Sequence, residues 1–110
     1  MKTPTIKEFE ITDKNLLIET IRQIQKDWNR AGLSPLQIGE EKTANEVVRM
    51  LNSALNELVV SQPESLATLL YLIDLNEAKL IWESGQMTID KLTEAIVRRE
   101  FFKVKLRSML

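Results

Sequence analysis

The chain has 110 residues, enough for one hydrophobic core and too few for two comfortable ones, and its 44% apolar and 28% charged residues are the balance of a folded globular protein rather than a disordered one. It contains neither Cys nor His, which removes disulfides, thiolate nucleophiles, Cys-ligated zinc, and the imidazole used as base, pH switch and metal ligand. The net charge of -1 is unevenly placed: residues 97 to 110 carry Arg98, Arg99, Lys103, Lys105 and Arg107 against Glu100, a local +4, which leaves -5 on the first 96 residues.

Only three Gly and three Pro interrupt the sequence, so turns are few and elements long, which favours helices. Residues 1 to 12 read as an irregular or extended arm, with Thr3-Pro4-Thr5 followed by the weak alternation of Lys7 to Ile11. They contain no apolar run of signal-peptide length, and no run elsewhere reaches the roughly 18 residues of a membrane span, so a soluble, cytoplasmic protein without a membrane partner is expected. Residues 13 to 110 are expected to form a single helical domain.

From a Thr12 or Asp13 cap, Leu17, Ile21, Ile24 and Trp28 fall at helical intervals, and Gly32 stands where a left-handed C-cap is expected. The link from Leu33 to Gly39 is kept irregular by Ser-Pro and Gly, with Leu36 and Ile38 tucked into the core. A second helix is expected from about Glu40, its acidic first turn matching the helix dipole. Its apolar stripe runs Ala44, Val47, Val48, Leu51, Ala54, Leu55, Leu58 and Val59. Asn45, Asn52 and Asn56 share a second row with Arg49. Asn is a poor helix former and an uncommon choice for a solvated face, so this row is read either as a candidate interface or as plain solvated surface.

Ser61 to Glu64 has the spacing of a capping box with Pro63 just inside the next helix. Asp74 then interrupts the most apolar run of the chain. In an unbroken helix it would lie between Leu70 and Ala78, where an unpaired ionised carboxylate costs several kcal/mol, whereas a capping carboxylate contributes about 1 kcal/mol. The reading is therefore a break, with one helix over 63–73, a sharp turn, and a short helix over 75–84 for which Asp74 is the helix cap and Asn76 a second candidate. The alternatives are a buried ion pair, for which Arg99 is the expected partner, and a functional acid.

The last helix opens at a Thr88 cap, stapled by Met87 and Leu92, and runs to about Ser108. An edge strand over 101–107 is the rival, because Phe102, Val104 and Leu106 alternate with Lys103, Lys105 and Arg107. On a helix of about 3.6 residues per turn, Leu92, Ala95, Ile96, Phe102, Leu106, Met109 and Leu110 share one side and Val97, Phe101 and Val104 the other. Two apolar faces need two partners, so Val97, Phe101 and Val104 are the candidate interface, unless the helix lies in the middle of the bundle. The cations Arg98, Arg99, Lys103, Lys105 and Arg107 form a candidate basic ridge, with Phe101 as a stacking platform for nucleic acid.

A serine nucleophile would lack its histidine base, the three Gly form no phosphate loop, and the carboxylate pairs Glu40/Glu41 and Asp90/Glu94 sit in helix first turns. No enzyme, catalytic residue, metal ligand or cofactor is therefore expected. The sequence reads as an all-α, compact bundle of four to five helices. Its expected role is a non-enzymatic protein-protein interaction or adaptor module that binds another protein or itself as a homodimer. A nucleic-acid-associated protein using the basic carboxy-terminal helix is the alternative. A small-ligand site would require a deep pocket with convergent polar groups.

Overall fold

Asp13 opens the first helix by accepting the amide protons of Asn15 and Leu16 at 2.9 and 3.3 Å, in a computed structural model that describes residues 13 to 110. Residues 1 to 12, with the expected arm, lie outside the described residues. Helix α1 spans Lys14–Arg30 and ends on Gly32 at φ 79°, a left-handed conformation that costs glycine nothing sterically. The link that follows is pinned by two α1 side chains. Trp28 Nε1 donates to the Ser34 carbonyl at 2.7 Å, and Gln25 Nε2 donates to the carbonyls of Leu36 and Ile38 at 2.9 and 3.2 Å. Ile38 is buried and Leu36 partly buried, as their apolar character predicts.

Helix α2, Ala44–Ser61, begins later than the acidic pair Glu40-Glu41 suggests. Those residues form a turn, and Thr43 provides the capping box instead, exchanging bonds with Glu46 at 2.9 and 3.2 Å. A box satisfies two otherwise unpaired amides, which an acidic first turn alone does not. The Ser61-to-Glu64 box is not formed: Ser61 ends α2 with its hydroxyl donating to the Glu57 carbonyl, and Pro63 alone starts α3, Pro63–Ile73.

The break at Asp74 is present, but Asp74 closes the helix before it rather than opening the one after. Its backbone is left-handed, at φ 68° and ψ 49°. Leu75 N–H bonds to the Leu70 carbonyl at 2.8 Å and Asp74 N–H to the Tyr71 carbonyl at 3.0 Å, the paired bonds of a Schellman ending. Helix α4, Asn76–Glu83, follows with no side-chain cap, so neither Asp74 nor Asn76 serves as the amino-terminal cap expected of them.

Thr88 caps α5 through Lys91 N–H at 3.2 Å, and α5 runs Ile89–Ser108 as one helix, so residues 101 to 107 are not a strand. Among the described residues five helices form an all-α bundle around α5, which packs against each of the other four. Leu92, Ile96, Val97 and Val104 are all buried there, together with Ile21, Leu51, Leu55, Leu69 and Leu70. Among the described residues, no helix is long and apolar enough to cross a membrane.

Candidate functional site

The central position of α5 reverses the expected use of its two apolar faces. Val97 and Val104 are 1% and 3% exposed and Phe101 packs partly buried against the core, so this candidate interface faces the chain's own helices. The opposite row begins in the core at Leu92 and Ile96 and leaves it further along. Phe102, Leu106 and Met109 are 49%, 46% and 73% exposed, and Leu110 is exposed as well. Apolar residues all round a helix identify it as central, but hydrophobicity alone does not say where its neighbours end.

The asparagine row divides. Asn52 Nδ2 donates to Asp90 Oδ1 at 2.9 Å and to Thr93 Oγ1 at 3.1 Å, which ties α2 to the first turn of α5. Asn56 Nδ2 donates back to the carbonyl and Oδ1 of Asn52 at 3.0 and 3.1 Å and holds that amide in place. Asn45 is exposed. The amides of Asn52 and Asn56 thus bond within the chain.

The basic ridge is largely committed to the fold. Arg99 Nη2 lies 3.0 Å from Asp74 Oδ2, the pairing foreseen from sequence, although Asp74 is exposed rather than buried. Lys105 Nζ stands 6.0 Å from the centre of the Phe101 ring, a cation–π distance. Arg98 and Arg107 are exposed. Lys103 turns inward.

Lys103 is part of a buried ionic cluster that the sequence reading did not assemble. Its Nζ lies 3.0 Å from Asp27 Oδ2 on α1 and 2.8 Å from Glu100 Oε1 one turn back on α5. Gln23 Nε2 donates to the same Asp27 oxygen at 3.1 Å, and Arg30 Nη1 stands 3.6 Å from Asp27 Oδ1. Asp27 and Glu100 are both 0% exposed. The two carboxyls meet at the same ammonium, and among the described residues no donor other than Lys103 is aligned on either oxygen of Glu100.

Each group responds to this crowding. Burial, then the adjoining Asp27 carboxylate, push the Glu100 carboxyl up to about 8, with Lys103 pulling the other way. Burial also works against an ionised Asp27, but its bonds to Glu100, Gln23 and Lys103 prevail and hold it below the ordinary carboxylate value. Lys103 is held above its ordinary value because its two carboxylate partners outweigh the effect of burial. One detectable signal was in the sequence: Glu100 stands four residues from both Ile96 and Val104, between the two apolar sides of α5.

A cleft of about 210 Å³ lies where the α1–α2 link meets the end of α2, lined in part by Trp28, Leu33, Pro35, Leu36, Ala54 and Leu58. It is smaller than the roughly 300 Å³ at which ordinary ligand pockets begin, and the Trp28 N–H in it is already bonded to Ser34. No group of three acidic residues suited to a metal ion occurs among the described residues. Fold and site together define a small all-α bundle with a buried ionic cluster between α1 and α5 and an exposed apolar row at the end of α5. The chain matches no protein-family model, no curated protein and no solved structure.

Proposed function

We propose that this protein is a non-enzymatic interaction module that self-associates, the exposed end of α5 in one copy docking on α4 of a second. The observation that carries this reading is the row Phe102, Leu106 and Met109, exposed on a helix whose earlier turns are packed from several sides. Single exposed apolar residues are ordinary, whereas a row at helical spacing is the form an interface takes.

Charge selects the occupant. Lys105 and Arg107 are exposed on the same turns, so two such rows laid on each other would bring cations together. Helix α4 has the complementary character. Leu80 and Ile81 are exposed and share a face with Glu77, at spacings of three and four residues. Reciprocal docking of α5 on α4 gives a closed twofold dimer.

Sedimentation velocity over a concentration series tests the reading. A dimer is expected, lost on Leu106→Asp and equally on Leu80→Asp, with each variant still fully helical. It should survive roughly 1 M salt, which screens exposed charges to about 3 Å but leaves apolar contact intact. A strict monomer at every concentration, or association abolished by nuclease, overturns it; the second outcome would favour nucleic acid at the basic residues.

A further inference from the structure

Two carboxylates and one ammonium meet between α1 and α5, and a count of charge fixes their protonation. With Asp27 and Glu100 both ionised, Lys103 is the cation held within the cluster, because Arg30 stands at its edge with a half-exposed side chain; the buried part then carries a net negative charge, which is costly, and one retained proton makes it neutral. The proton belongs on Glu100. Among the described residues, Asp27 has Gln23, Lys103 and the nearby Arg30 to stabilise its ionised form, while Glu100 has Lys103 alone and the Asp27 carboxylate against it. Among the described residues no relief comes from elsewhere: the other buried polar residues are Thr20, Gln23 and Thr93, the buried residues of α2, α3 and α4 are apolar, and Arg99 is turned to Asp74.

We propose that Asp27, Glu100 and Lys103 form a proton-loaded latch, which fastens α5 to α1 while Glu100 keeps its proton and loosens the end of α5 as that proton is lost. The position of the cluster makes it a latch. Val104 is the last buried residue of α5 and residues 105 to 110 are all exposed, so Glu100, Lys103 and Val104 belong to the last turn of α5 that is held in the core.

The direction of the response follows from linkage. The folded chain holds on Glu100 a proton that an unfolded chain releases near the ordinary value of 4.5, and it keeps that proton up to about 8. The stability contributed is full below the lower value, declines as pH rises between the two, and is exhausted above the upper one. The fastening is thus graded across neutral pH. It does not depend on the self-association reading, which is tested by a different measurement.

The test is a titration of the full chain, ¹³C-labelled at glutamate carboxyls, followed by NMR from about pH 4 to about pH 10, with unfolding equilibria measured in parallel. One glutamate carboxyl is expected to titrate near 8, and its resonance to be missing in Glu100→Gln. Relative to Glu100→Gln, the wild-type unfolding constant should rise by up to about tenfold per pH unit between about 5 and about 8, then level off. Amide protection over residues 101 to 108, corrected for intrinsic exchange, should fall in the same window. Titration of every glutamate in the ordinary carboxylate range, or parallel pH profiles for the two proteins, overturns the proposal. If Glu100→Gln does not fold, the wild-type titration decides alone.

Discussion

Lys103 Nζ sits 3.0 Å from Asp27 Oδ2 although the two residues are 76 positions apart, so a single ammonium joins the last helix to the first. It also lies between two buried carboxylates, and its removal takes the paired cation from Glu100 and leaves Asp27 to Gln23 and Arg30. Lys103→Met keeps the length and apolar stem of the side chain while deleting the charge. Breaking a buried ionic group by removing one partner costs about 3–5 kcal/mol, and a loss of that size is expected in denaturant unfolding near pH 8. At pH 5 the loss should shrink, because a protonated Glu100 needs the ammonium less. An equal loss at both pH values would show that Lys103 acts through packing alone.

Asp27 governs the acid side. Its carboxyl is held below the ordinary value of 3.8, so its contribution is in place above that pH and is lost as pH falls through the lowered value. Asp27→Asn should flatten this acid limb and cost about 1–3 kcal/mol at neutral pH through its weakened bonds to Lys103 and Gln23. The same change removes a negative neighbour of Glu100, so the Glu100 carboxyl should titrate at a lower pH than in the wild type. An unchanged Glu100 titration would show that burial alone sets it.

What was legible in the sequence was mostly local. The Asp13 cap, the Gly32 ending, the break at Asp74 and the run from Thr88 to Ser108 depend on a residue and its near neighbours, and each stands where the spacing predicts. The α2 start was misplaced because two local signals compete within four residues, an acidic pair and a capping box, and the box satisfies more backbone. The side of α5 facing the core was not legible, because apolar residues surround that helix and only tertiary packing decides which stay dry. The buried cluster escaped for a related reason. Glu100, three residues from Lys103, reads as one more charge in a basic tail until the fold brings Asp27 to the pair.

Asn52 is a second cross-link, tying α2 to the first turn of α5 through Asp90 and Thr93. Asn52→Ala removes both bonds and frees Asn56 from its side-chain partner. With net values of about 0.5–1.5 kcal/mol per bond and partial exposure, a loss of about 1–2 kcal/mol is expected by chemical denaturation. Asn45→Ala, at an exposed position of the same row, should change stability by less than about 0.5 kcal/mol. Equal effects at the two positions would mean that the amides contribute only through helix propensity.

At Asp74 the backbone and the side chain make separate demands. The left-handed conformation closes α3, and the carboxylate pairs with Arg99 on α5. The ion pair is exposed enough for solvent to screen it, so it contributes about 0–1 kcal/mol. The conformation is the stricter requirement, tolerated by Asp and Asn and strongly disfavoured for a β-branched residue. Asp74→Asn should therefore cost no more than about 1 kcal/mol, and that cost should vanish near 1 M salt, where exposed charges are screened within about 3 Å. Asp74→Val, which loses the same ion pair and must also strain the turn, should cost about 1–3 kcal/mol more, with the additional loss insensitive to salt. Matching losses for the two variants, both erased by salt, would mean that the Arg99 pair rather than the left-handed turn is what the site requires.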